Sequence, residues 1–148
     1  MNESDEVDIL LVEDNQDDLE MALRALSKAN LADRIQIARD GVEAVDYMFC
    51  HGAYAKRNPA CAPKLVLLDL KLPKMDGMEV LKLIKGDART AMTPVVMLTS
   101  SKEQRDVIES YNLGVNSYIV KPVSLEAFVA AVRELGVYWL ILNQTIRT

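Results

Sequence analysis

The chain has 148 residues, 50% hydrophobic and 26% charged, with a net charge of −5. This size and balance suit one folded domain with a substantial core and argue against a disordered chain. The acidic charge disfavours nucleic acid as a direct partner, no uncharged apolar run approaches the roughly 18 residues that cross a bilayer, and two cysteines make no disulfide scaffold.

The opening residues, Met1-Asn2-Glu3-Ser4-Asp5-Glu6, are acidic and polar and read as a disordered segment, not as a signal peptide. The expected location is the cytoplasm, with Cys50 and Cys61 as reduced thiols. Val7 to Val12 is an apolar strand ending in two successive carboxylates, Glu13 and Asp14. Asn15-Gln16-Asp17-Asp18 supplies a cap and acids suited to a helix start, and Leu19, Ala22, Leu23, Leu26 and Ala29 recur at helical spacing. Arg34 to Ala38 is a short second strand, and Asp40-Gly41 turns into a second helix reaching Phe49. The connection from Cys50 to Pro63 is long for its kind, which marks it as a candidate partner contact; its His51 has no companion metal ligands nearby and reads as a surface residue.

The run Leu65 to Leu68 is apolar without alternation, as in a strand buried on both faces, and it ends on Asp69. Pro73 and Asp76-Gly77 punctuate the turn that follows. Met78 to Lys85 is a third helix, with Gly86 as its stop. Thr93 to Thr99 is a fourth strand, with Pro94 tolerated at its first position. Ser100-Ser101-Lys102-Glu103 opens a fourth helix through Leu113, stopped by Gly114. Ser117 to Val120 is a fifth strand, followed by Lys121-Pro122. Ser124 caps a long last helix whose stripe is Leu125, Phe128, Val129, Val132, Leu135, Trp139 and Leu142. The expected domain spans 7–143, with a short tail over 144–148.

Five strand–helix units imply a parallel sheet with right-handed crossovers. The doubly wound order that suits this length is the flavodoxin-like 2-1-3-4-5, whose ligand crevice lies between strands 1 and 3. That topology brings Glu13, Asp14, Asp69, Thr99 and Lys121 to one edge of the sheet. Three carboxylates packed together repel unless a cation neutralises them, and an oxygen-only donor set fits Mg²⁺ better than Zn²⁺. A carboxylate can act as a nucleophile and form an aspartyl-phosphate, and phosphoryl transfer needs cations on the transferred oxygens. Each residue also has a plainer use. Asp69 can start a turn, the Glu13-Asp14 pair can lead into a helix, Thr99 can cap the fourth helix, and Lys121 can be a solvated lysine. Their joint placement at strand ends favours the chemical reading.

The set Glu13-Asp14, Asp69, Thr99 and Lys121-Pro122, with Leu72-Pro73-Lys74-Met75-Asp76-Gly77 after the central aspartate, resembles the receiver domain of two-component response regulators over about residues 7 to 135. The resemblance implies a sensor histidine kinase as phosphodonor and Asp69 as phosphoacceptor. It implies Mg²⁺ on Glu13, Asp14, Asp69 and the backbone carbonyl of Lys71, a Thr99–Tyr118 switch, and a cis Lys121–Pro122 peptide. The long connection and the ending Tyr138-Trp139-Leu140-Ile141-Leu142-Asn143 are similar to single-domain regulators paired with bacterial phytochromes. Lys71 departs from commoner receivers, where neutral side chains are frequent at that position.

The expected function is a stand-alone phosphorylation switch, not an enzyme acting on a separate substrate, that signals to an unknown downstream protein by changing its binding surfaces. A phosphohydrolase of the haloacid dehalogenase group would need a second Asp where Lys71 stands, and a phosphate-independent binding module would not need the complete acidic site. A homodimer is expected through the fourth helix, fifth strand and fifth helix. Tyr138, Trp139, Leu140 and Ile141 form an apolar end to that last helix and are the candidate interface residues.

Overall fold

The computed structural model describes residues 7–31, 34–122 and 124–135. The expected disordered segment 1–6, the tail 144–148 and the candidate interface residues Tyr138, Trp139, Leu140 and Ile141 lie outside the described residues.

Five strands, β1 (Ile9–Val12), β2 (Ile35–Ala38), β3 (Leu65–Leu68), β4 (Val95–Thr99) and β5 (Ser117–Val120), form one parallel sheet in the order β2-β1-β3-β4-β5. The flavodoxin-like order expected from the strand–helix alternation is the one observed. The helices are α1 (Gln16–Lys28), α2 (Gly41–Phe49), α3 (Gly77–Lys85), α4 (Gln104–Asn112) and α5 (Leu125–Glu134). β1, β3 and β4 are buried along their whole length, which explains why they read as unbroken apolar runs.

Each face of the sheet has its own core. On one, Leu11, Leu67 and Leu98 meet Leu19 and Leu26 of α1 and Phe128 and Val132 of α5. On the other, Val12, Leu68 and Met97 meet Ala44 and Tyr47 of α2 and Val80, Leu81 and Ile84 of α3. Truncating one of these central side chains, Leu67→Ala for example, costs about 2–5 kcal/mol. α4 is thinly attached by comparison. Ser110 is its one fully buried residue, while Ile108 and Tyr111 are exposed. Low burial of this kind belongs to elements that move at small energetic cost.

Helix starts follow their caps. Asn15, Asp40, Asp76 and Ser124 each accept a hydrogen bond from a backbone N–H three residues on. α4 is the exception. It begins at Gln104, later than expected, with Glu103 at the cap position making no side-chain cap bond. The Ser101 hydroxyl, which looked like part of a helix start, instead donates to Asp106 at 2.6 Å and accepts from the Glu103 N–H.

Other boundaries are narrower than expected. β1 starts at Ile9 and β4 at Val95, with Pro94 just outside the ladder and its carbonyl accepting from Val66. Leu125, which fits the stripe by spacing, is exposed; Phe128, Ala131 and Val132 are the buried residues of α5. The long connection is packed against α2. Tyr54, in a single 3-10 turn over Gly52–Tyr54, sets its ring edge-on to Tyr47 and donates its hydroxyl to Glu43 at 2.7 Å. Arg57 lies over the Tyr47 ring and donates to the Tyr47 and Cys61 carbonyls.

Candidate functional site

The sheet ladder runs one residue past the strands and fixes the site. The Asp69 N–H donates to the Val12 carbonyl at 3.1 Å, that of Glu13 to Ala38 at 3.0 Å, and that of Lys121 to Thr99 at 2.8 Å. The register that pairs Val12 with Leu68 therefore also sets Glu13 beside Asp69. Since β1 and β3 are neighbours with crossovers running to opposite sides, the crevice between them is where such sheets place ligands.

Glu13 and Asp69 are buried, whereas Asp14 is exposed. One carboxylate oxygen from each of the three lies within 4.8 Å of the others, a spacing a single small cation can bridge. Lys121, brought in from the end of β5, donates to Glu13, to Asp18 at 3.0 Å and to Asp69 at 3.1 Å. The peptide between Lys121 and Pro122 is cis. Thr99 closes β4 with its side chain buried, and its hydroxyl oxygen accepts from the Ser101 N–H at 3.4 Å. Of the expected site residues, Glu13, Asp14, Asp69 and Lys121 are thus brought together directly, and Thr99 is tied to Lys121 through the backbone. Lys71 is exposed, on the loop after β3.

Electrostatics follow from crowding. Burial pushes the Glu13 carboxyl up to about 7; the Lys121 hydrogen bond opposes this and the Asp69 charge reinforces it. Burial would lower the Lys121 ammonium, but its bonds to Glu13 and Asp18 and the charge of Asp69 outweigh that and hold it above the usual lysine range. Burial also raises the Tyr118 phenol, partly offset by its hydroxyl donating to the Ser101 carbonyl at 3.0 Å.

Three contributors, Asp18, Ser101 and Asp106, escaped the sequence reading. Asp18 looked like a helix-start acid, yet from the first turn of α1 it reaches Lys121. Ser101 and Asp106 form the polar link between the end of β4, Tyr118 and α4. The sequence signal for Asp18 was present only as its place in the acidic run after β1.

Known proteins resemble this chain over most of its length. The family of response regulator receiver domains matches residues 9–133. The probable methanogenesis regulatory protein FilR2 of Methanothrix harundinacea is 42% identical over 137 residues, covering 93% of this chain and 86% of that protein. Response regulator Rcp1 of Synechocystis sp. is 39% identical over 132 residues, covering 89% and 88%; the Mn²⁺-bound form of Rcp1 superposes with a TM-score of 0.74 at 38% identity, over 90% of this chain and 94% of that one. The bacteriophytochrome response regulator AtBRR superposes with a TM-score of 0.82 at 53% identity, over 93% and 98%.

Proposed function

The chain belongs to the response regulator receiver domain family, and from that premise we propose that Asp69 accepts a phosphoryl group from a sensor histidine kinase in a Mg²⁺-dependent reaction. The observation that carries this reading is the convergence of Lys121 on Glu13 and Asp69 at the β1–β3 crevice. An oxygen of the Asp69 carboxylate attacks phosphorus, the phosphorus–nitrogen bond of a phosphohistidine breaks, and the imidazole leaves with the electron pair, giving an acyl phosphate on Asp69. Lys121 then pairs with a phosphoryl oxygen in place of the Asp69 carboxylate, and the Thr99 hydroxyl donates to another.

The three clustered carboxylate oxygens suit a hard divalent cation. Glu13, Asp14, Asp69 and the Lys71 carbonyl are the proposed ligands, and the bound ion supplies charge neutralisation at the transferred oxygens. The Mn²⁺-bound form of Rcp1 supports a divalent ion here.

The output is a change in binding surfaces, with Thr99 and Tyr118 as the switch, not turnover of a separate substrate. Among the described residues no helix is long and apolar enough to cross a membrane, which fits the proposed cytoplasmic location. The 53% identity to a bacteriophytochrome response regulator supports a phytochrome-type kinase as the donor. A receiver domain over 7–143, a homodimer through α4, β5 and α5, and an unidentified downstream protein complete the proposal.

The test is labelling by a phosphohistidine kinase or a small phosphodonor with Mg²⁺ present. Asp69→Asn, which keeps shape and removes the nucleophile, should abolish it. Label that persists and maps to another residue would overturn the assignment.

A further inference from the structure

We infer that Gly41, on the turn between β2 and α2, is a positioning residue for the divalent-metal site, acting through the loop 70–76; this rests on the proposed ligand set of Glu13, Asp14, Asp69 and the Lys71 carbonyl. Gly41 touches none of the carboxylates. It meets the tip of the loop. Its N–H donates to the Pro73 carbonyl at 3.2 Å. A Cβ built on Gly41 would fall 1.9 Å from the Met75 carbonyl oxygen and 2.7 Å from its carbon. Both are backbone atoms, so no side-chain rotation relieves the contact. Gly41 is also the first residue of α2 and does not adopt a left-handed φ. It is required for the space it leaves, not for backbone freedom.

The loop has little other slack. At its base the Gly77 N–H donates to the Leu70 carbonyl at 2.7 Å, and a Cβ there would lie 2.1 Å from the Asp69 carbonyl oxygen. Beneath it Leu70 is buried, and Leu72 and Met75 pack on the core face that includes Ala44 and Tyr47 of α2. At the tip Lys74 adopts φ 68° and its ammonium lies 3.4 Å from Asp40, the residue before Gly41. The Lys71 carbonyl sits between these two fixed ends. Any side chain at 41 must push residues 73–75 outward, and with Gly77 holding the base the shift passes to the segment that carries this carbonyl.

Mg²⁺ demands near-ideal octahedral geometry at short distances, whereas Ca²⁺ accepts longer and more variable ones. A displaced ligand should therefore harm Mg²⁺ more than Ca²⁺, a discrimination that general loss of stability would not produce. The experiment is calorimetric titration of the full chain with MgCl₂ and with CaCl₂. Val132→Ala, a core truncation on the opposite face of the sheet, serves as control for lowered melting temperature. Gly41→Ala should weaken Mg²⁺ binding by about tenfold or more and Ca²⁺ binding by less than about threefold, while Val132→Ala changes neither. Unchanged Mg²⁺ affinity in Gly41→Ala, or equal loss of both ions, would overturn the inference. If Gly41→Ala does not fold, Asp40→Asn keeps the glycine and a capping oxygen and removes the charge facing Lys74. A smaller loss, selective for Mg²⁺, is then expected, and none at all would overturn the inference. Absence of Mg²⁺ binding by the unaltered chain would instead overturn the ligand assignment on which it rests.

Discussion

The Lys121 ammonium lies 3.1 Å from the Asp69 carboxylate and also bonds to Glu13, so one half-buried cation stands between acids carried by two other strands. Deleting one partner of a buried ion pair typically costs about 3–5 kcal/mol, because the remaining charge is left desolvated. Lys121→Ala should therefore lower the urea midpoint of the metal-free protein sharply. Saturating Mg²⁺ should restore much of the loss, since a divalent cation can neutralise the same carboxylates, but should not restore phosphoryl labelling. Equal destabilisation with and without Mg²⁺ would show that these acids do not share a cation site.

A second prediction concerns pH. Burial raises the Glu13 carboxyl from an ordinary 4.5 to about 7, so the folded chain binds this proton more tightly than the unfolded chain does. The stability this provides is complete below the unfolded value and is lost as pH rises through about 7. Mg²⁺ affinity runs the other way, because the ligand must be deprotonated. Metal-free melting temperature should thus fall, and Mg²⁺ affinity rise, as pH climbs from 4.5 to about 7, and both should level off above that. Both slopes should flatten in Glu13→Gln. Parallel slopes in the unaltered protein and in Glu13→Gln would place the titrating group elsewhere.

Much of this site could be read from the chain because β1, β3 and β4 are buried on both faces, so their apolar runs end visibly on Glu13, Asp69 and Thr99. What the sequence concealed depends on partners distant along the chain. Asp18 is an ordinary helix-start acid until β5 delivers Lys121 to it. Ser101 reads as part of a helix opening, but its hydroxyl goes to Asp106 and α4 begins at Gln104. Leu125 fits the stripe of α5 by spacing yet is exposed, because periodicity alone does not report burial. The connection after α2 reads as irregular because its order comes from Tyr54 and Arg57 packing back on Tyr47, not from any repeat.

The link from Tyr118 to Ser101 gives a third prediction. The Tyr118 hydroxyl donates to the Ser101 carbonyl, while the Ser101 hydroxyl holds Asp106 in the first turn of α4. This ties the segment between β4 and α4 to the β5 aromatic. A typical hydrogen bond contributes about 0.5–1.5 kcal/mol. If switching breaks this bond, Tyr118→Phe should strengthen binding of a phosphoryl mimic such as beryllofluoride by about twofold to tenfold, because the mimic no longer has to overcome it. Unchanged or weaker binding of the mimic would show that switching does not break this bond.

The last prediction is the homodimer. Ile108 and Tyr111 on α4 are each 51% exposed, and Leu125 at the start of α5 is exposed as well. α4 itself buries little, so these apolar side chains lie on a weakly anchored element beside the edge strand β5. The sequence adds Tyr138, Trp139, Leu140 and Ile141 to the same end of the chain. A two-fold contact would let one patch cover its own copy, which is the commonest way such a surface is closed. A stable interface of ordinary size buries about 1,200–2,000 Å² in total. Replacing Tyr138, Leu140 and Ile141 with serine should shift sedimentation toward the monomer and leave Asp69 labelling intact, since that segment holds none of the proposed phosphorylation-site residues. Ile108→Glu should act in the same direction if α4 contributes, and should leave the assembly unchanged if the last segment suffices. An unaltered chain that sediments as a monomer at high micromolar concentration, with and without beryllofluoride, would rule the dimer out.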